Sequence, residues 1–338
     1  MQLQEERARD ESTPVQTLLN IAGSYAAPRC LHVVADLGVA DALDETPRTA
    51  TELATAVGAH PDALARILRL LSAHGVFLAA GNTFAHTPAS RLLRTDHPQS
   101  MRAVARMFGL PLFWGTQGAL LKSARTGRVA VEDVYPGGFF AYLEDNPEAN
   151  SIFNAAMAAK AHGQVAGVVA AYDFSSFGTI ADIGGGRGHL LQGILEATTA
   201  ARGVLFDLPH VVEEARGLRS ERLELQAGNF FTDGLPTCDA YLLMEVIHDW
   251  GHAEALAILQ AVRRAAPSHA KLLVIEQMIP GDPGPHLSKT VDLHMLALVG
   301  GLQRNRQEYT ELLDGAGFAF ERQIDTRAYI AILEAVVA

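Results

Sequence analysis

Thr179-Ile180-Ala181-Asp182-Ile183-Gly184-Gly185-Gly186-Arg187-Gly188 is the stretch that decides the fold. Its first half is a short β-branched and apolar run, its second half is glycine-rich, and residues 190–197 then take up helical periodicity. A strand that runs through glycines into a helix opens a parallel α/β unit, because the glycines let a ligand approach the backbone at the helix N-terminus. The dinucleotide fingerprint G-x-G-x-x-G is not met. Counted from Gly184, the third glycine falls on His189; counted from Gly186, it falls on Leu191. The spacing is G-x-G-x-G with Asp182 two residues before it, which suits a ligand without a pyrophosphate and argues against NAD. Four glycines among residues 184–188 exceed what a tight turn alone requires.

Downstream, β-rich runs at 204–207, 223–227, 240–246 and 272–276 alternate with helical text, the pattern of a parallel sheet. The last two runs, 318–325 and 329–337, leave no room for a crossover helix and must pair antiparallel. Asp207 ends the second run, where a carboxylate can accept from both hydroxyls of a ribose; an ordinary helix N-cap is the alternative. Asn229 and Phe230 follow the third run, an amide able to read an adenine edge and a ring able to stack on it. Met244-Glu245-Val246-Ile247-His248-Asp249-Trp250 closes the fourth run, so His248 lies at the carboxyl end of a strand, where open α/β sheets keep their sites. His248 could equally cap a following helix or pair with His252 on a metal. HDWGH lacks the Glu of the H-E-x-x-H pattern, however, and offers no third ligand.

Upstream, residues 14–94 read as helices with short turns. Thr49-x-x-Glu52 is a capping box, Pro61 opens a helix with Leu64, Ile67, Leu68 and Leu71 on one stripe, and Gly75 closes it. A small hairpin turning at Gly81-Asn82 completes a winged helix-turn-helix. A DNA-reading regulator is one use of that motif, but the second helix offers only Arg66 and Arg69, and Asp62 offsets them. A module for protein contacts is the other. Residues 30–43, read as one apolar helix, carry more greasy surface than a small domain buries, which a second copy would cover. Residues 101–165 are again helical, with Phe153, Asn154 and Met157 at i, i+1 and i+4.

The 338 residues are 49% hydrophobic and 19% charged, a globular composition, and roughly 150 residues per domain suggests two domains. With 27 Lys+Arg against 38 Asp+Glu the net charge is −11, unsuited to wrapping nucleic acid. Cys30 and Cys238 are far apart, which argues against a disulfide scaffold or a cysteine zinc site. The polar start, 1–13, has no apolar region of a secretory signal, and no run reaches the ~18 residues of a membrane span, so a cytoplasmic protein without membrane or nucleic-acid partners is expected.

Together, residues 182–188, Phe206-Asp207-Leu208-Pro209, Gly228-Asn229-Phe230-Phe231 and Ile247-His248-Asp249-Trp250 resemble the S-adenosylmethionine-dependent O-methyltransferases of small molecules. The branch is that of plant caffeic acid and flavonoid enzymes and of bacterial enzymes for polyketides and phenazines. The resemblance covers nearly the whole chain. It implies an α/β fold: a Rossmann-like methyltransferase sheet with an antiparallel C-terminal hairpin, spanning 101–338 with a helical linker and pocket region at 101–165. An N-terminal helical winged-helix dimerisation domain at 1–100 precedes it. It implies S-adenosyl-L-methionine held by Asp182, Gly184, Gly186, Asp207, Asn229, Phe230 and Met244, where many relatives have Lys or Arg in place of Met244 and Asp in place of Asn229. It also implies an aromatic small-molecule acceptor lined by Phe153, Asn154, Met157, Asp249, His294, Met295 and Gln303, with His248 as general base and Glu276 orienting it. A second family carboxylate falls on Gln303, which carries no charge, leaving His248 one carboxylate partner. No metal is implied. A homodimeric enzyme methylating a hydroxyl of a specialised metabolite is the expectation. An N-methyltransferase of the same fold, a noncatalytic relative and a ligand-binding winged-helix regulator are the alternatives.

Overall fold

A computed structural model describes residues 13–338; the polar start expected to be no signal lies, up to residue 12, outside them. The chain divides into two compact units, one of Met1–Pro111 with Glu148–Ala159, the other of Leu112–Pro147 with Lys160–Ala338. The 25-residue helix Pro147–Ala171 therefore gives Glu148–Ala159 to the first unit and its remaining residues to the second.

The first unit contains the winged helix-turn-helix. The capping box forms as the sequence reads: Thr49 accepts from the Glu52 amide and Glu52 accepts from the Thr49 amide, starting the helix Ala50–Val57. The helix Pro61–Ala73 buries Leu64, Leu68 and Leu71, and strands β1 (Arg48–Thr49), β2 (Phe77–Ala80) and β3 (Thr83–His86) form a small sheet in the order β1-β3-β2. One expectation fails here. Residues 30–43 are not one helix, because Gly38 takes a left-handed backbone (φ 70°) and splits the run into Ala26–Leu37 and Val39–Ala42. The bend folds Val34, Val39, Ala40 and Leu43 into the unit's own core, at 0–2% exposure. The uncovered apolar surface lies earlier, on Val15, Leu18, Leu19, Ile21 and Tyr25, all above 60% exposed.

The second unit holds a seven-stranded sheet. Strands β4 (Thr179–Ile183), β5 (Arg202–Asp207), β6 (Leu223–Ala227), β7 (Ala240–Met244) and β8 (Lys271–Glu276) are parallel, and β9 (Phe318–Asp325) and β10 (Ala331–Val337) close it antiparallel in the order β6-β5-β4-β7-β8-β10-β9. Strand order reverses beside β4, so β5 and β7 both flank the strand that enters the glycine turn. Ligands of open parallel sheets bind at such a switch point, outside the carboxyl ends of the strands. Apolar clusters cover both faces, one built on Ala181, Tyr241, Leu243, Leu272 and Val274, the other on Ile180, Leu205, Leu242, Leu273 and Ile275. Alternation along β7 and β8 assigns successive residues to opposite faces. Among the described residues, no helix is long and apolar enough to cross a membrane.

Candidate functional site

The glycine turn closes onto Asp207. Its Oδ2 accepts from the Gly186 amide at 2.8 Å and its Oδ1 from the Leu208 amide at 2.7 Å. Each oxygen keeps a further lone pair, so the carboxylate is aimed by the loop yet can still accept from two hydroxyls. Burial pushes the Asp207 carboxyl up while those two amides pull it down. The glycines prove to be backbone requirements. Gly184, Gly186 and Gly188 have φ of 69°, 58° and 73°, and a Cβ on Gly185 would fall 2.5 Å from Asp182 Cγ and from Leu205 Cδ1. The excess read in the sequence is thus the turn's own geometry. Gly186 alone of the four faces open space.

Asp182 is buried at 1% exposure, and burial together with the Asp207 charge pushes its carboxyl up to about 7. A Cβ on Gly184 would touch Val246 at 3.1 Å and lie 3.8 Å from the Phe230 ring, so the ends of β6 and β7 converge on the glycine turn. Phe230 and Phe231 both meet Trp250 edge-on, with centroids 5.9 and 4.8 Å away. The Asn229 carbonyl oxygen accepts from the Phe231 amide at 2.9 Å, an Asx turn that leaves its NH2 and one lone pair unused. Met244 packs against the apolar face behind β7.

His248 lies in a single 3-10 turn, Ile247–Asp249, immediately after β7, and is 6% exposed. It caps no helix: the next one, His252–Ala265, starts from Gly251. Its Nδ1 lies 2.8 Å from Gln303 Nε2 and 3.2 Å from Glu276 Oε2, its Nε2 lies 3.4 Å from Asp249 Oδ1, and its backbone amide donates to Glu276 Oε1 at 3.2 Å. Burial lowers the imidazole to about 4, with Lys160 and Arg304 adding to the fall and Glu245 opposing it. Burial and Glu245 also raise the Glu276 carboxyl well above the carboxylate range, with the His248 backbone amide and Lys160 opposing. Glu276, expected to orient the imidazole, lies against its Nδ1.

The turn is gripped from the loop at 301–304. Arg304, 1% exposed, donates to the carbonyls of Ile247 at 3.1 Å and Trp250 at 3.0 Å, and the Leu302 amide donates to the His248 carbonyl at 2.8 Å. Gly301 leaves no space there, since a Cβ would sit 2.1 Å from that same carbonyl oxygen. The Gln303 amide donates to Asp292 Oδ1 at 2.9 Å, joining the helix Leu287–Leu298 to the site. His294 on that helix meets Phe113 edge-on at 6.2 Å, and Phe113 meets Phe139 at 6.1 Å. Met295 shares the helix and its carbonyl accepts the Val299 and Gly300 amides.

Glu245 was not singled out in the sequence. It takes φ 53°, a conformation costly for a residue other than glycine, and its Oε1 accepts from Lys160 at 2.5 Å and from Gln164 at 3.1 Å. Burial works against its charge, but Lys160 and His248 hold it below the usual carboxylate range. A carboxylate inside the apolar run at 240–246 was the available signal. Phe153, Asn154 and Met157 fall in the first compact unit, where Asn154 donates to Asn150 at 3.1 Å. Among the described residues, no group of three or more His, Cys, Asp or Glu could hold a metal ion.

A switch-point glycine turn, an aimed carboxylate and a buried histidine at neighbouring strand ends make a Rossmann-like site suited to a nucleoside ligand. The chain belongs to the O-methyltransferase family: the family's O-methyltransferase domain matches residues 118–319 and its O-methyltransferase dimerisation domain matches 19–96. It is 38% identical to the phenazine O-methyltransferase PhzM of Lysobacter antibioticus, over 98% of each chain. It is 37% identical to the 8-amino-8-demethylriboflavin N,N-dimethyltransferase of Streptomyces davaonensis, over 91% of each. Among solved structures, the O-methyltransferase NcsB1 of neocarzinostatin biosynthesis, in complex with S-adenosylmethionine and 2-hydroxy-5-methyl naphthoic acid, superposes with a TM-score of 0.78 at 32% identity, over 97% of this chain and 100% of that one. The protein is an enzyme, and its methyl donor is S-adenosylmethionine. The residues present fit that donor: Asp207 retains acceptors for a ribose, Gly186 borders open space, and Phe230 supplies a ring beside Gly184.

Proposed function

We propose that this enzyme methylates a hydroxyl of an aromatic small molecule, a specialised metabolite, as a homodimer. The observation that carries this is the position of the His248 turn: a proton-handling cluster sits at the end of β7, next to the strand that enters the glycine turn. Asp207 and Gly186 would hold the ribose side of the donor, and Asn229, Phe230 and Met244 the adenine side, with Asp182 fixing the turn from beneath. When bound, the donor supplies a sulfonium methyl group open to in-line attack. His294 and Met295, with the aromatic pair Phe113 and Phe139, would face the acceptor ring. The hydroxyl would face the turn after β7, with His248 as the general base that takes its proton and Glu276 orienting the ring.

The chemistry needs help of moderate size. A phenol of pKa about 10 against an imidazole of ordinary pKa ~6.5 leaves full ground-state transfer uphill by ~3.5 units, or about 5 kcal/mol, and the lowering of His248 by burial adds to that. Removal of the proton as the methyl arrives avoids most of that, and general-base assistance is worth roughly 10²–10⁴-fold. Positioning supplies the rest. The exposed apolar residues Val15, Leu18, Leu19, Ile21 and Tyr25, within or beside the matched dimerisation segment, support the homodimer.

Methyl transfer from S-adenosylmethionine to a panel of phenols and anilines, followed by mass spectrometry, tests the reading. O-methyl products are expected. Products methylated only on nitrogen favour the second reading, which the resemblance to the N,N-dimethyltransferase supports.

A further inference from the structure

Among the described residues, two other than glycine take a positive φ, Tyr329 at 56° and Glu245 at 53°. Tyr329 lies exposed between β9 and β10. Glu245 directly follows β7, three residues before His248. Up to that point β7 alternates. Ala240, Leu242 and Met244 pack on one face of the sheet, Tyr241 and Leu243 on the other. Regular extension would send Val246 to the face of Met244. Instead Val246 and Ile247 both join Tyr241 and Leu243. The left-handed residue is the phase shift. Its amide still donates to the Ile275 carbonyl at 2.9 Å, completing the ladder, and the chain then leaves the strand. Val246 is thereby set against Gly184, and the His248 ring is delivered to Gln303 and Glu276.

The side chain of Glu245 is held from three directions. Its Oε1 accepts from Lys160 Nζ at 2.5 Å, Gln164 Nε2 at 3.1 Å and Gln277 Nε2 at 3.4 Å. Both glutamines are buried, and the Glu245 side chain is 16% exposed. Lys160 and Gln164 stand one turn apart on the helix Pro147–Ala171, so a rigid element fixes the carboxylate and the carboxylate fixes its own backbone.

We infer that Glu245 is a positioning residue, whose ion pair with Lys160 holds the left-handed turn that aims His248 at the acceptor hydroxyl. The inference rests on the O-methylation reading with His248 as base. What the base requires of position 245 is a backbone conformation, and Lys160 is what lets a residue other than glycine supply it. A strained residue persists where its surroundings over-determine it, and the three donors on Oε1 do so here.

The test separates backbone from charge. Glu245→Ala and Glu245→Gly remove the same carboxylate, but only glycine adopts φ 53° freely. On a weakly acidic phenol, kcat should be lower in Glu245→Ala than in Glu245→Gly by roughly 5–30-fold, the ~1–2 kcal/mol cost of a left-handed residue read as misaimed turns. On an already ionised nitrophenol, which needs no base, the gap should nearly close. S-adenosylhomocysteine affinity by calorimetry should be the same in both. Lys160→Met should slow the weakly acidic phenol by roughly 10–10²-fold, and adding Glu245→Gly should recover most of that loss. Where Lys160→Met does not fold, because it strands a buried carboxylate, the comparison of alanine with glycine decides alone. Equal rates for those two, an equal gap on the nitrophenol, or a double variant no faster than Lys160→Met overturns the inference. A fall in S-adenosylhomocysteine affinity in Glu245→Gly also overturns it, because the pair would then be holding the donor. Failure of the O-methylation reading appears separately, as absence of any phenol product from the wild type. The His248 ring resonances then still decide: they should shift in Glu245→Ala and stay near wild type in Glu245→Gly, and the reverse refutes the turn's role.

Discussion

Replacing Gln303 by glutamate puts an anion where the amide nitrogen now stands, 2.8 Å from Nδ1 of His248. At an effective dielectric near 20, opposite charges about 4 Å apart attract by about 4 kcal/mol, or ~3 pKa units at 1.36 kcal/mol per unit. The new carboxylate must itself ionise in a site where Gln303 is 1% exposed, so about half of that is the lower bound. The imidazole, held at about 4 by burial, should therefore rise to between roughly 5.5 and 7. The sign follows from linkage: an imidazole with a depressed folded pKa loses stability as pH falls from its unfolded value near ~6.5 toward 4, so raising it toward that value removes the acid-side loss. The assay is a pH titration of the His248 ring protons by NMR, with thermal unfolding at pH 5 and pH 8 beside it. The same substitution leaves only acceptor oxygens at position 303, which favours the ring hydrogen on Nδ1. A midpoint that stays near 4 in Gln303→Glu refutes the reasoning, because position 303 would then not be electrically coupled to the ring.

Asp207→Ala should weaken S-adenosylhomocysteine binding by roughly 1.5–3 kcal/mol, the cost of hydrogen bonds to a charged group; calorimetry reads it, and unchanged affinity removes Asp207 from the ribose role. Glu276→Gln should keep kcat within about threefold, since an amide reproduces the acceptor for the His248 backbone and a donor toward Nδ1, whereas Glu276→Leu should lose most activity. Strong loss in Glu276→Gln would mean that the buried acid is charged. Glu245→Gly relieves a strained backbone worth about 1–3 kcal/mol but leaves Lys160 without its partner, a loss of about 3–5 kcal/mol when a pair is fully buried. With Lys160 29% exposed, a net destabilisation of about 1–2 kcal/mol is expected by denaturant unfolding. A stabilised variant would show that strain outweighs the pair.

The sheet was legible because each strand carries its own punctuation. The run at 179–183 ends in glycines, 204–207 ends in Asp-Leu-Pro, and the close spacing of the last two runs admits only an antiparallel pair; all seven strands form where those signals lie. The helical break at Gly38 was not read, because an isolated glycine within apolar text looks like a tolerated interruption until the chain is seen to turn there with φ 70°. The consequence was larger than the error. Apolar residues expected on a surface became core, and the exposed stripe moved to residues 15–25.

The site shows the converse limit. His248, Glu276 and Gln303 could be named from their sequence contexts, and the structure brings Gln303 and Glu276 to 2.8 and 3.2 Å from His248 Nδ1. What could not be read was the direction of each hydrogen bond, because that depends on which atom of each side chain faces the ring and on whether a buried carboxyl keeps its proton. Neither is a property of residue type at a spacing. Glu276 counts as an acid in a composition, whereas in its place enclosure disfavours the charged form. Gln303 counts as the loss of a charge in a comparison of motifs, and in three dimensions as an uncharged amide packed 2.8 Å from Nδ1 of the buried ring. A substitution that keeps shape while removing a charge can thus leave the fold untouched and change only what the buried ring feels.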